Sequence, residues 1–203
     1  MNTRGFVISL GVLLGLLLAP RPALADKGID AGLLLGSTKT TDEGSALQFA
    51  RGKTFQATLG WRVWAGSKAS LSIEVPFLAS NNFDITTTDP KLPLEYASLY
   101  LTPGVRVTRS LTRTVSVFGS VGAGYARYSE SRHKRDGSDN PGQLDTNTGA
   151  FQLGAGVDIR GFGWLGFRGE VRDIVTGVRR FSVATPGETV HNVAASGGLV
   201  IRF

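Results

Sequence analysis

From Thr54 to Trp64 the odd positions are Phe55, Ala57, Leu59, Trp61 and Val63, while the even ones include Gln56, Thr58, Gly60 and Arg62. An α-helix would scatter these apolar residues around its circumference, whereas a strand gathers them on one face. The same period of two runs through Ala69 to Leu78, where Leu71, Ile73, Val75 and Phe77 alternate with Ser70, Ser72, Glu74 and Pro76. Ala65 to Lys68 join the two runs as a tight hairpin link. Six further strands are predicted by the same test: Gly28 to Leu35, Leu94 to Val107, Thr114 to Tyr128, Thr148 to Ile159, Trp164 to Asp173 and Thr189 to Phe203. The fold class is therefore all-β.

The residues ahead of these strands read as a targeting segment. Arg4 supplies a positive start, Phe6 to Leu18 an apolar run, and Ala23-Leu24-Ala25 a cleavage signal, so residues 1–25 are expected to be a signal peptide and 26–203 the mature domain. The run is short for a membrane-spanning helix and ends in Pro20-Arg21-Pro22. With no cysteine in 203 residues, disulfide frameworks, thiol catalysis and thiolate metal sites are excluded. His133 and His191 are few for a metalloenzyme, and neither a metal nor another cofactor is expected.

The links between strands alternate in length. Ala65 to Lys68, Thr108 to Arg113 and Arg160 to Gly163 are short; Gly36 to Lys53, Ala79 to Pro93, Ser129 to Asn147 and Ile174 to Glu188 are long and polar. An even strand count with tight turns at one end and long loops at the other is the layout of an eight-stranded antiparallel up-and-down transmembrane β-barrel. The apolar parity would face lipid. The other parity, facing the lumen, holds many of the 27 glycines and a charged set: Arg62, Glu74, Arg106, Asp158, Arg168, Glu170, Arg172 and Arg202. An eight-stranded bore is only just wide enough for side chains, so small inward residues are needed if several arginines are to fit. Trp61, Trp64, Phe162, Trp164 and Phe203 at the turn end, with Phe55, Phe77, Tyr125 and Phe151 at the loop end, would form two interfacial girdles. Pro76 and Pro103 fit a closed barrel less well, and Pro103-Gly104 is expected to mark a bulge.

These strands, the leader and an ending in Val200-Ile201-Arg202-Phe203 resemble the small outer-membrane β-barrel family that includes the OmpA transmembrane domain and OmpX-like proteins. Ser98 to Val107 is similar to the fourth-strand segment of such barrels. The resemblance implies insertion by the outer-membrane assembly machinery, with Val193, Ala195, Leu199, Ile201 and Phe203 as the assembly signal. No peptidoglycan-binding domain is expected after the barrel.

Candidate chemistry is sparse. Gly161 to Gly166 matches G-x-G-x-x-G, but a strand instead of a helix follows it, so a tight turn is the better reading. Some outer-membrane barrels are lipid-modifying enzymes; the deacylases among them place a His and a Ser two apart on the lipid-facing side. His191 has that parity, yet Val193 stands at the partner position, so no nucleophile is expected there. His133 lies in a solvated loop, and Asp136, Asp139, Asn140 and Asp145 lack calcium-loop spacing. Arg132 to Arg135, with Lys39, Arg51, Lys53, Arg179 and Arg180, puts positive charge on the long loops, suited to lipopolysaccharide phosphates or simply to solvent.

The lumenal charges are expected to pair, Glu74, Asp158 and Glu170 with Arg62, Arg106, Arg168, Arg172 or Arg202, because isolated buried ions cost several kcal/mol. A plug of salt bridges is favoured over a narrow anion-preferring gate. The sequence thus points to a monomeric, non-enzymatic barrel in the outer membrane of a Gram-negative-type cell. Its expected partners are outer-membrane lipid, lipopolysaccharide and the assembly machinery, and it takes no nucleic acid. The alternatives are a soluble lipocalin-like carrier with its apolar parity inward, and a lipid-modifying barrel enzyme.

Overall fold

In the computed structural model the described residues are 28–41, 48–49, 51–86, 95–134, 136–140, 145–177 and 189–203. The expected signal peptide lies outside them. All regular structure among the described residues is strand: β1 (Ile29–Thr41), β2 (Gln48–Phe49), β3 (Gly52–Ala65), β4 (Ala69–Thr86), β5 (Glu95–Leu101), β6 (Gly104–Ser110), β7 (Val115–Glu130), β8 (Asp145–Arg160), β9 (Leu165–Gly177) and β10 (Thr189–Arg202). β5 and β6 are one stave interrupted at Thr102-Pro103, and β2 is a short extension beside the outer end of β4. Eight antiparallel staves result. They close on themselves because β1 pairs with β10, from Asp30 opposite Arg202 to Thr41 opposite His191.

Closure leaves no strand edge within the wall, and the pleat then assigns each parity a side. Apolar side chains point outward, Leu35 70% and Trp61 61% exposed among them, while Gln56, Glu74, Arg106 and Arg172 are buried in the lumen. This is opposite to the arrangement a lipocalin-like carrier requires. Tight turns at 66–68, 111–114 and 161–164 lie at one end of the barrel; the G-x-G-x-x-G match falls in the last of them, with Gly163 at φ 53°.

Several strands run further toward the loop end than the alternation predicts. β1 reaches Thr41 instead of Leu35, β4 reaches Thr86 instead of Leu78, and β8 begins at Asp145 instead of Thr148. Beyond the apolar band the outward positions become polar, as at Ser37 and Lys39, so the pattern fades although the backbone ladder continues.

The prolines behave differently from the expectation. Phe77 faces Leu101 and Glu74 faces Gly104, while Leu101 faces Tyr125 and Gly104 faces Gly122, so the register is unshifted on both sides of Pro103. There is no bulge at Pro103-Gly104. The stave is instead interrupted opposite Pro76, concentrating both missing N–H donors in one place, and Thr102 N donates to Pro76 O at 3.4 Å. The backbones approach closely here: a Cβ on Gly104 would lie 2.0 Å from Val121 O. Register shifts occur elsewhere, between Arg62 and Trp64 and between Ser80 and Phe83.

Candidate functional site

The lumen is filled in two tiers. In the tier nearer the turns, β9 carries Arg168, Glu170 and Arg172 inward at alternate positions. Arg168 grips Asp158 with two parallel bonds, Nε to Oδ1 at 2.7 Å and Nη2 to Oδ2 at 2.9 Å. Arg172 donates from Nη2 to Glu74 Oε1 at 2.6 Å and from Nη1 to Gln152 Oε1 at 3.0 Å, and it also pairs with Glu170. Arg106 donates from Nη1 to Glu74 Oε2 at 2.8 Å and pairs with Asp30; Arg202 reaches Asp158 Oδ2 at 3.2 Å. The Phe118 ring lies under two of these guanidinium groups, 4.8 Å from Arg168 and 5.6 Å from Arg106. Four guanidinium groups meet four carboxylates, so the tier is close to neutral, the condition under which buried ions are tolerated.

The tier nearer the loops is built mainly of hydroxyl, amide and aromatic side chains, with the buried Glu130 at its outer end accepting from Asn140. Thr38, Thr54 and Ser80 form a triangle of hydroxyl contacts at 2.7 to 3.1 Å. Above it Tyr96 meets Thr40 at 3.0 Å, Tyr128 meets Thr176 at 2.7 Å, and Asn192 donates to Tyr128 Oη at 3.2 Å. Leu78, Ala126, Ala150 and Ile174 pack around these rings. Each hydroxyl satisfied inside an apolar surround holds its ring in place, because an unmade buried hydrogen bond costs about 1–3 kcal/mol.

Of the eight sequence-predicted lumenal charges, the structure brings seven together. Arg62 stands apart from the ion pairs: it keeps the inward parity, opposite Ser72, but lies at the turn-end mouth of the lumen, where its side chain is exposed. Asp30, Gln56 and Gln152 belong to the network as well; Gln56 pairs with Glu170, and their even numbering on β1, β3 and β8 carried the signal. The inward Tyr96, Tyr100 and Tyr128 follow the same parity. Glycine makes room for the arginines as expected: a Cβ on Gly166 would lie 2.4 Å from Arg202 Nη1, and one on Gly60 2.9 Å from Arg106 Nη2.

On the outer wall, His191 Nδ1 lies 2.9 Å from Asp173 Oδ2, a half-exposed imidazole–carboxylate pair. Val193, Ala195, Leu199, Ile201 and Phe203 lie along the outward face of the closing strand and just beyond it, and Phe203 N donates to Ile29 O at 2.8 Å. Lys39, Arg51, Lys53 and Arg132 are exposed toward the loop end, and His133 lies 3.4 Å from Asp139. Two hydrogen bonds from Ser138 hold the exposed Asp136 carboxyl below its ordinary range. Arg135, Arg179 and Arg180 lie outside the described residues.

A closed ring of eight staves, apolar outside and packed with polar and charged side chains inside, is the architecture of the small outer-membrane barrels. Among solved structures the chain is similar to Neisserial surface protein A, with a TM-score of 0.61 and 11% identity over 86% of this chain and 97% of that one. It is similar also to the attachment invasion locus protein Ail of Yersinia pestis, solved with the heparin analogue sucrose octasulfate, with a TM-score of 0.50 and 13% identity over 86% and 99% of the two chains. No family model and no curated protein matches the chain. At these identities the likeness is one of fold.

Proposed function

We propose that this chain resides in the outer membrane of a Gram-negative-type cell as a sealed, non-conducting, monomeric barrel with a structural or surface-interaction role and no catalytic activity. The observation that carries the reading is the lumen itself: Arg172 and Glu74, each about 1% exposed, join opposite walls across the bore. An ion crossing this tier would have to break a neutral network whose members are buried from solvent. The outward apolar band supports a lipid surround. The exposed cations Lys39, Arg51, Lys53 and Arg132 suit lipopolysaccharide phosphates, and Phe203 with the alternating residues before it suits recognition by the assembly machinery.

The test combines membrane fractionation with planar-bilayer recording. Recovery in the outer membrane with heat-modifiable gel mobility and no steady openings is expected. Recovery as a soluble periplasmic protein, or sustained large conductance, would overturn the reading.

A second reading is favoured by one observation. Asp173 orients His191 on the lipid-facing wall, which is the acid–base half of a hydrolytic triad, and Thr189 shares the outward parity two positions away. Fatty-acid release from lipopolysaccharide that disappears in His191→Gln would establish this enzyme reading in place of the first.

A further inference from the structure

The turn end of the lumen opens into a cavity of about 700 Å³, within the size range of small-ligand sites. Its charge is lopsided. Seven cationic side chains line it against the carboxylates of Asp30 and Asp158. Both carboxylates are already engaged, Asp30 by Arg106 and Asp158 by Arg168 and Arg202. Arg62, Lys68, Arg109, Arg113 and Arg160 therefore surround the mouth with no carboxylate partner among the described residues. At the floor, Arg106 is 3% exposed and its Nε has no hydrogen-bond acceptor, and Nη1 of Arg202 is likewise unmatched.

This asymmetry has a physical consequence. The buried tier below is close to neutral, so it does not offset the field of the mouth, and low-dielectric walls focus that field into the cavity. The guanidinium groups around the mouth have no carboxylate among the described residues to occupy their donors, and an oxyanion with several lone pairs can accept from them. Forked donors match phosphate and carboxylate geometry.

We propose that this vestibule is a binding site for a small, soluble polyanion carrying phosphate or carboxylate groups. Arg106 and Arg202 form the floor, and Arg62 and Arg160 close over the ligand from opposite sides of the mouth. The ligand comes from the aqueous phase, because the cavity lies inside the ring of staves and opens along the barrel axis, away from the lipid-facing wall. Binding at this mouth does not depend on the sealed-lumen reading, since the tier beneath contributes only its floor.

The test is calorimetric titration of the purified barrel in zwitterionic detergent with inorganic tripolyphosphate. Saturable one-to-one binding is expected, weakened by about tenfold for each arginine removed in Arg62→Gln and Arg160→Gln. Both residues are exposed and outside the ion-pair tier, and Arg113→Gln in an exposed turn supplies a further variant should either fail to fold. The loop-end control Arg127→Gln with Arg132→Gln removes equal charge at the other end and is expected to leave the affinity unchanged. Absence of saturable binding, or an equal loss in the control, would overturn the proposal. A repeat in lipid nanodiscs separates the sources: loss of tripolyphosphate binding in phosphatidylglycerol but not phosphatidylcholine would make the occupant a lipid headgroup and overturn the soluble-ligand assignment.

Discussion

Arg172 and Glu74 stand on staves four places apart in a ring of eight, so the 2.6 Å hydrogen bond between them spans the bore at its full width. Glu74 also accepts from Arg106 on the neighbouring stave. Truncation to Glu74→Ala would leave two buried guanidinium groups short of an acceptor, and breaking a buried pair in this way costs about 3–5 kcal/mol. Urea unfolding in lipid vesicles is expected to register a loss of that size, with Glu74→Gln losing less because its amide oxygen still accepts. A loss below about 1 kcal/mol for the alanine variant would show that the crossing bond is not structural.

The Arg168–Asp158 pair invites a different comparison. Arg168→Met alone leaves the buried Asp158 with only its single bond from Arg202, whereas Arg168→Met combined with Asp158→Leu removes both charges and frees only Arg202, which is partly exposed to water at the mouth. The double variant is expected to be more stable than the single one, because a well-packed apolar substitute for a buried ion pair is often neutral or better. Chemical denaturation of both forms checks this, and a double variant weaker than the single would contradict it.

Backbone proximity at the interrupted stave predicts a severe effect from a small change. A methyl group added by Gly104→Ala meets Val121 O at 2.0 Å and Gly122 Cα at 2.5 Å, both backbone atoms that cannot step aside. Loss of the compact heat-modifiable band is expected. Gly169→Ala, with nothing within 4 Å, serves as the matched control and should stay within about 0.5 kcal/mol of the parent.

Acid should loosen the loop end before the interior. Hydrogen bonds from Ser129 and Arg127 hold the Asp145 carboxyl below its ordinary value. A carboxylate with a depressed folded-state pKa contributes stability that is present above the unfolded value, near about 4, and is lost as pH falls through the lower folded value. The contribution is small, since Arg127 and Asp145 are about half exposed and screened by salt. Amide exchange at the outer ends of β7 and β8 is therefore expected to quicken below about pH 4, and Asp145→Asn should show the quickened rate at neutral pH.

Much of this architecture was legible in the order of residues. Period two at Phe55 to Val63 fixed inside and outside, and the same parity rule contained Asp30, Gln56 and Tyr128, whose polar or amphipathic character made them unremarkable one at a time. What alternation could not carry was distance across the ring. Nothing in the spacing of Glu74 and Arg172 announces that they touch, because their contact depends on closure and on strand register. Arg62 has the inward parity but lies at the turn-end mouth with no carboxylate partner among the described residues, and alternation does not say how far along the bore a residue lies. The ends of β1 and β4 were missed where outward residues turn polar and strand ceases to differ from loop in composition.

The break at Thr102-Pro103 divides one stave between the two tiers: Tyr96 and Tyr100 belong to β5, Arg106 to β6. A rod with a pivot transmits little torque, so distortion of the charged tier is not levered into the aromatic one through this wall. The two tiers are thereby coupled less through this stave than through the seven continuous ones. Damage to one, such as Glu74→Gln, and to the other, such as Tyr128→Phe, should sum in free energy to within about 0.5 kcal/mol, which lets the mouth at the turns and the rim at the loops drift independently under selection.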